Sequence, residues 1–328
     1  MFKIGNIEIK GKVILAPMAG VSFLSYRKFM SKFSIDCYYT EMVSDMGLIY
    51  GNDETTRYVT FDNSLYPTGV QLFGHDPKTL QKAAEIVLKL NQNVAFCDVN
   101  MGCPVPKVTN SGAGSALMKN PKLCGDIIRA IKEVTDKPVT AKIRLGWDNS
   151  SINFMEVIEE LEKAGVDAVA IHARTRKELY SGQPHYDLLK DLRKKMTVPL
   201  FVSGNIFTLD DAINAMEVTG ADAVMVARGA VGNPFLTTQI NHYFETGEKL
   251  LAPSLKEQCE YCLDLINMMI EEFGEDKAIR MFRGIGTNFF SGFKNVKSFK
   301  TRIASKMDTY QDLLDIISDI KKENDIQD

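Results

Sequence analysis

Cys103 lies in a stretch, Phe96 to Met118, whose composition changes abruptly. A short apolar run, Phe96 to Met101, breaks into Gly102, Cys103, Pro104 and Pro106 before Gly112 and Gly114. This is the pattern of a buried strand feeding a long loop, with Asn100 and Cys103 at the strand's end. In parallel α/β proteins ligands gather at that end. A free cysteine is most often a small buried hydrophobe, but two prolines and two glycines describe a loop rather than a core. A thiol ordinarily titrates near about 8.5, so at neutral pH it is mostly protonated, the form a proton donor needs. A nucleophilic cysteine would need a base beside it.

Other strand-like runs also end in polar residues. Lys142 and Arg144, two apart, share one face of a strand, His172 and Arg174 close another run, and Gln71 lies in a third. Taken singly, Lys142 reads as a salt-bridge lysine and His172 as a satisfied core histidine. Ser203-Gly204-Asn205 and Ala227-Arg228-Gly229 follow the last two apolar runs. In barrels those two loops commonly hold a phosphate through backbone N–H groups, and an arginine adds a charge-assisted contact. A phosphate at one edge, with Gln71, Lys142 and His172 on other strands, suits a flat flavin mononucleotide (FMN). A lysine beside its pyrimidine edge would stabilise the reduced, anionic ring. No G-x-G-x-x-G stands in the chain, which points away from a tightly held dinucleotide.

The elements that must position these residues follow from periodicity. Eight short apolar runs begin at Val13, Tyr38, Thr68, Phe96, Val139, Ala168, Leu200 and Ala223, mostly alternating with helical patterns. That is the signature of a (β/α)8 TIM barrel, with a doubly wound sheet as the alternative. Phe2 to Ile9 alternates around Gly5-Asn6 and predicts a hairpin plugging one end. Thr208 predicts an N-cap for a helix over 209–218, and a helix is also expected from Tyr186 to Lys195. Beyond Gly247 only helical patterns remain. The expected division is a barrel over 1–246 and a C-terminal all-helical domain over 247–328.

The 328 residues suffice for a large barrel with an appendage, and 45% hydrophobic with 25% charged content is ordinary for a soluble protein. No run is apolar enough to span a bilayer and no secretory signal is visible, so a cytoplasmic protein with reduced thiols is expected. Cys259 and Cys262 form a lone C-x-x-C without a second ligand pair, so no metal is expected. The net charge of −3 conceals an uneven distribution. From Lys277 to Lys306 the chain carries Lys277, Arg280, Arg283, Lys294, Lys297, Lys300, Arg302 and Lys306 with no acidic residue between them. Interleaved phenylalanines read as core, and the basic residues as a face towards the phosphates of RNA.

With these residues in hand, the chain resembles the tRNA-dihydrouridine synthases, most closely their bacterial B-type branch. The resemblance rests on Ala16-Pro17-Met18-Ala19-Gly20, Asn100-Met101-Gly102-Cys103-Pro104, Ala141-Lys142-Ile143-Arg144, His172-Ala173-Arg174-Thr175-Arg176 with Tyr180 and Gly182, and Ser203-Gly204-Asn205. It covers the barrel and fits the helical tail. It implies NADPH-driven, FMN-dependent reduction of the C5=C6 bond of particular uridines in tRNA. Flavin N5 would deliver hydride to C6, and Cys103 would give the proton to C5. It further implies that Pro17, Met18, Ala19, Gln71, Lys142, His172, Ser203, Gly204, Asn205, Ala227 and Arg228 contact FMN. Asn100, Arg144, Arg174 and Tyr180 would line the uracil site, and of the basic stretch read above Arg283, Lys294, Lys297 and Lys300 are expected to face tRNA. A stacked uridine must leave its stack to reach such a pocket. Ser203 and Ala227 stand where relatives often carry Asn and Gly. The alternatives are a flavin enzyme of free pyrimidines, a flavin-free Schiff-base barrel built on Lys142, and a tRNA binder without turnover.

Overall fold

All eight apolar runs become parallel strands in the computed structural model, which describes residues 1–51, 53–60 and 62–326. The hairpin strands β1 (Phe2–Ile4) and β2 (Ile7–Ile9) pair antiparallel. The sheet contains β3 (Val13–Leu15), β4 (Tyr38–Ser44), β5 (Thr68–Phe73), β6 (Phe96–Asn100), β7 (Val139–Arg144), β8 (Ala168–His172), β9 (Leu200–Ser203) and β10 (Ala223–Val226). Its order, β3-β10-β9-β8-β7-β6-β5-β4, is closed by a parallel bridge between Ile14 and Cys37. A closed ring of eight parallel strands is a TIM barrel.

The strands divide by face. Val139, Ala141 and Ile143 or Val169 and Ile171 alternate with inward residues, and all five are fully buried. The barrel interior is apolar at its N-terminal end, where Phe2, Ile4, Ile7 and Ile9 of the hairpin join Ile14, Tyr39, Phe96, Phe201 and Met225 in one cluster. The predicted plug is therefore present. Towards the C-terminal ends of the strands the interior turns polar.

The helices are α1 (Leu24–Met30), α2 (Asp45–Ile49), α3 (Asp53–Tyr58), α4 (Pro77–Leu90), α5 (Pro106–Thr109), α6 (Pro121–Lys132), α7 (Phe154–Lys163), α8 (Leu209–Thr219), α9 (Phe235–Thr246), α10 (Leu255–Phe273), α11 (Glu275–Phe282), α12 (Lys297–Ser305) and α13 (Tyr310–Glu323). Thr208 caps α8 through a reciprocal capping box with Asp211. The helix expected over 186–195 is instead two 3-10 turns, Tyr186–Leu189 and Leu192–Lys195. Between them Asp191 takes a left-handed conformation, φ 53°, and donates its N–H to Val218 O, which breaks the helical ladder.

The chain forms two compact units, Met1–Ser22 with Ile35–Ala227, and Phe23–Ser34 with Arg228–Asp328. The division falls at 227/228 rather than at the change of pattern near 246/247, and the second unit also takes α1. Aromatic contacts supply the reason: Phe23 meets Phe273, Phe33 meets Tyr261 and Phe29 meets Phe289. Helix α9 belongs with them because its Thr238 and Asn241 bind the backbone of Ser34. Cys259 and Cys262 are buried free thiols of α10.

Candidate active site

Strand register sets polar side chains in rows across the barrel. Gln71 is level with Asp98 and Asp98 with Thr140; Asn100 is level with Lys142; Arg144 is level with His172 and His172 with Ser203. Gln71 Nε2 donates to Asp98 at 2.7 Å and Thr140 Oγ1 to the other Asp98 oxygen at 2.6 Å. Asn100 Nδ2 then donates to Gln71 Oε1 at 2.8 Å, while Asn100 Oδ1 accepts the N–H of Cys103 at 2.8 Å and of Gly102 at 3.1 Å. The chain of bonds runs from a carboxylate inside the barrel to the backbone of the cysteine. Each amide orientation dictates the next, because an amide has one accepting and one donating end.

The cysteine loop is closed from above as well. Ser115 donates both its N–H and its hydroxyl to Cys103 O. Gly114 has φ +59°, and a Cβ there would stand 2.8 Å from Cys103 O, so only glycine permits this closure. Among the described residues Cys103 is the one cysteine that is not buried.

Asp98 was not singled out from sequence, although a charged residue inside the run Phe96 to Val99 is a signal. It is fully buried, which pushes its carboxyl up to about 6 against the opposing bonds from Thr140 and Gln71 and the charge of Lys142. Lys142 is pulled down to about 8, chiefly by its dense surroundings and then by Arg144, with Asp98 and Cys103 opposing. Its side chain keeps partial exposure towards the mouth.

Arg144 and Arg174 are buried. Arg144 donates to the carbonyls of Gly102, Thr175 and Leu179 at 2.8–2.9 Å. Arg174 donates to Ser181 O at 2.9 Å, Gly182 O at 2.5 Å and His172 Nε2 at 3.3 Å. The last bond makes His172 Nε2 an acceptor and places the ring proton on Nδ1. Both guanidinium groups thus hold the 174–182 loop, which sets exposed Tyr180 over Arg144 and 6.1 Å from the His172 ring. Glu178 organises the same loop by accepting from Thr175 and pairing with His185 at 2.6 Å.

The remaining residues predicted to contact the flavin lie at or just beyond the ends of β3, β9 and β10. Pro17, Met18 and Ala19 lie in a turn where Ser22 bridges Met18 N and Ala16 O, and Gly20 N donates to Glu41. Ser203, Gly204 and Asn205 leave β9, with Tyr186 donating its hydroxyl to Gly204 O. Gly204, at φ +135°, would carry a Cβ only 3.0 Å from Pro184. Ala227 ends the first unit, and exposed Arg228 opens the second. In the second unit Lys294 and Lys297 are exposed and Lys300 is partly so, above buried Phe290 and Phe299. Arg283 differs from them, because its guanidinium binds Met307 O at 2.7 Å and the Asp308 carboxylate.

The family profile described as Dihydrouridine synthase (Dus) matches residues 14–324. The chain belongs to the dihydrouridine synthase family. Members of this oxidoreductase family include proteins similar to it over most of their length. A probable tRNA-dihydrouridine synthase of Rickettsia conorii is 34% identical over 92% of this chain and 90% of its own. The tRNA-dihydrouridine synthase B of Shewanella oneidensis is 34% identical over 86% and 87%, and that of Pseudomonas aeruginosa 32% over 94% and 92%. Among solved structures, an old yellow enzyme homologue from Zymomonas mobilis superposes with TM-score 0.52 at 12% identity, covering 77% of this chain and 94% of its own. Morphinone reductase in complex with tetrahydroNAD gives 0.51 at 13%, covering 78% and 92%. At such identities these two show the shared barrel alone. Among the described residues, no helix of this dihydrouridine synthase family member is long and apolar enough to cross a membrane.

Proposed function

We propose that the protein is a cytoplasmic tRNA-dihydrouridine synthase that holds FMN in the barrel mouth, is reduced by NADPH and saturates the C5=C6 bond of uridine in tRNA. The observation that carries this reading is the hydrogen-bonded chain Asp98–Gln71–Asn100–Cys103, which presents a partly exposed thiol beside Lys142 at the C-terminal end of the strands. The residues present fit a flavin. Gln71, Asn100 and Lys142 supply amide and cationic partners on neighbouring strands, and the Gly204 turn leaves no room for a side chain where a phosphate would meet backbone. A bound flavin supplies the two-electron reductant.

The chain's own residues do the rest. Lys142, cationic at neutral pH, offers positive charge to an electron-rich ring. Cys103 holds the proton for uracil C5, its backbone fixed by Asn100 and Ser115. Arg144 and Arg174 support Tyr180 and His172 at the wall of the uracil site. The barrel is the catalytic domain, and the helical unit, with Lys294, Lys297 and Lys300, binds tRNA.

The test uses unmodified tRNA and the Cys103→Ala variant. The wild type should contain flavin and produce dihydrouridine. The variant should keep its flavin and its oxidation of NADPH while product formation falls by at least about 100-fold, the scale of a lost general acid. Undiminished dihydrouridine formation by the variant overturns the role of Cys103, and reaction with free pyrimidines but not tRNA overturns the substrate.

A further inference from the structure

A second cluster stands at the same end of the barrel and takes no part in the chemistry above. Trp147, the single tryptophan of the chain, lies in the loop after β7. Lys119, from the loop after β6, places its Nζ 3.4 Å from the centre of the indole ring. Arg176, from the loop after β8, places its Cζ 4.5 Å from the same centre. The two cationic centres are therefore within about 8 Å of one another, no more than the ~8 Å Debye length at physiological salt, so their repulsion is not screened away.

No carboxylate among the described residues relieves it. Among the described residues neither cation makes an ion pair, and the neighbouring carboxylates are engaged elsewhere. Asp148 accepts from Ser150 and Ser151, and Glu178 from Thr175 and His185. Arg176 Nε is buried without an acceptor, a costly arrangement. Lys119 is exposed and Trp147 partly so, which leaves the cluster open to solvent.

The cluster is rigid and joined to the site. Arg176 N and Lys177 N donate to the carbonyls of Gly146 and Trp147 at 2.9 Å and 3.0 Å. Asn153 Nδ2 binds Met118 O at 2.7 Å, and the Arg144 N–H meets Met118 Sδ at 3.3 Å. The loops that carry the stack are those that hold Arg144 in place.

We propose that Lys119, Trp147 and Arg176 form a contact for the sugar-phosphate backbone of tRNA on the rim of the barrel, beside the mouth that receives the uridine. The inference rests on tRNA being the substrate. An indole shared by two cations keeps them at a fixed place on an open surface, which suits a passing polyanion better than an enclosed phosphate monoester. NADPH carries the same phosphate chemistry, so the test separates the two sources.

Full-length, flavin-loaded protein is titrated with unmodified tRNA at several salt concentrations, following Trp147 emission and, separately, labelled tRNA. Lys119→Ala and Arg176→Ala should each weaken tRNA binding about 5-fold or more and lower the salt slope by about 1, and Lys119→Glu should weaken it further. Trp147 emission should change on binding, and NADPH affinity and flavin content should remain those of the wild type. Exposed Lys119 carries the decisive variants, because its replacement leaves the fold intact. Wild-type tRNA affinity and slope in both Lys119 variants overturn the proposal while leaving the substrate intact. A loss of NADPH affinity with normal tRNA binding assigns the phosphate to the dinucleotide and also overturns it. A wild type that acts on free pyrimidines and does not bind tRNA removes the substrate reading and this surface together.

Discussion

In the barrel mouth, Arg144 and Arg174 are buried and bonded to loop carbonyls, whereas on the second unit Lys294 and Lys297 stand in solvent over a phenylalanine core. The same charge works in opposite regimes. A buried cation is stable only while its acceptors are exact in place, so it rigidifies whatever supplies them. An exposed cation costs little, is screened by salt and adds to its neighbours nearly independently. One region is organised to fix atoms near a reacting ring, the other to attract a polyanion.

The most direct test of this contrast is Arg174→Met. It leaves the buried His172 ring nitrogen without its donor and frees the loop carbonyls of exposed Ser181 and Gly182, and unfolding in urea should show a loss of about 2 kcal/mol, within the ~1–3 kcal/mol expected for an orphaned buried group. Lys294→Met should change stability by less than about 0.5 kcal/mol. A comparable loss at both positions would erase the distinction.

Lys142 sharpens it through pH. The folded protein releases its proton near 8 and the unfolded chain near the ordinary 10.5, so between those values the unfolded state holds more protons. Folding stability should therefore rise with pH across that window by up to about 3 kcal/mol, the size implied by ~1.4 kcal/mol per pKa unit. Lys142→Met should remove that rise when its pH profile is subtracted from the wild type's. A profile unchanged by the substitution would mean that the amine is solvated like any surface lysine.

Within the second unit, Arg283→Ala should cost about 1–2 kcal/mol, because it breaks charge-assisted bonds to Met307 and Asp308, and should hardly alter the salt dependence of tRNA binding. Replacing Lys294, Lys297 and Lys300 together by alanine should do the reverse, leaving thermal unfolding in place and lowering the salt slope by about 2–3. An unchanged slope would move the RNA surface elsewhere.

The residues that sequence alone brought to notice differ in how far it could explain them. Thr208 with Asp211 three residues on is a local device, and it forms as expected. Arg283 looked like one of eight similar cations, but its partner Asp308 is 25 residues away, beyond any local pattern. Arg144 and Arg174 were marked by their place at strand ends, yet their acceptors are carbonyls of a loop whose path no residue type announces. Asp98 lies inside the apolar run Phe96 to Met101, and its significance depends on Thr140 and Gln71 on neighbouring strands.

By itself the sequence determined the eight strands, the plugging hairpin and the end of the barrel where chemistry residues collect, through hydrophobic periodicity, turn residues and strand ends that act over a few neighbouring positions. The family followed from a different signal, the ordered motifs around Cys103, Lys142 and His172. Only the tertiary structure decided that Asp98 anchors the bonds leading to Cys103, that two arginines brace a loop, and that Lys119 and Arg176 converge on one indole. Those outcomes depend on strand register and loop closure, which bring together groups far apart in the chain and are settled when the whole barrel closes.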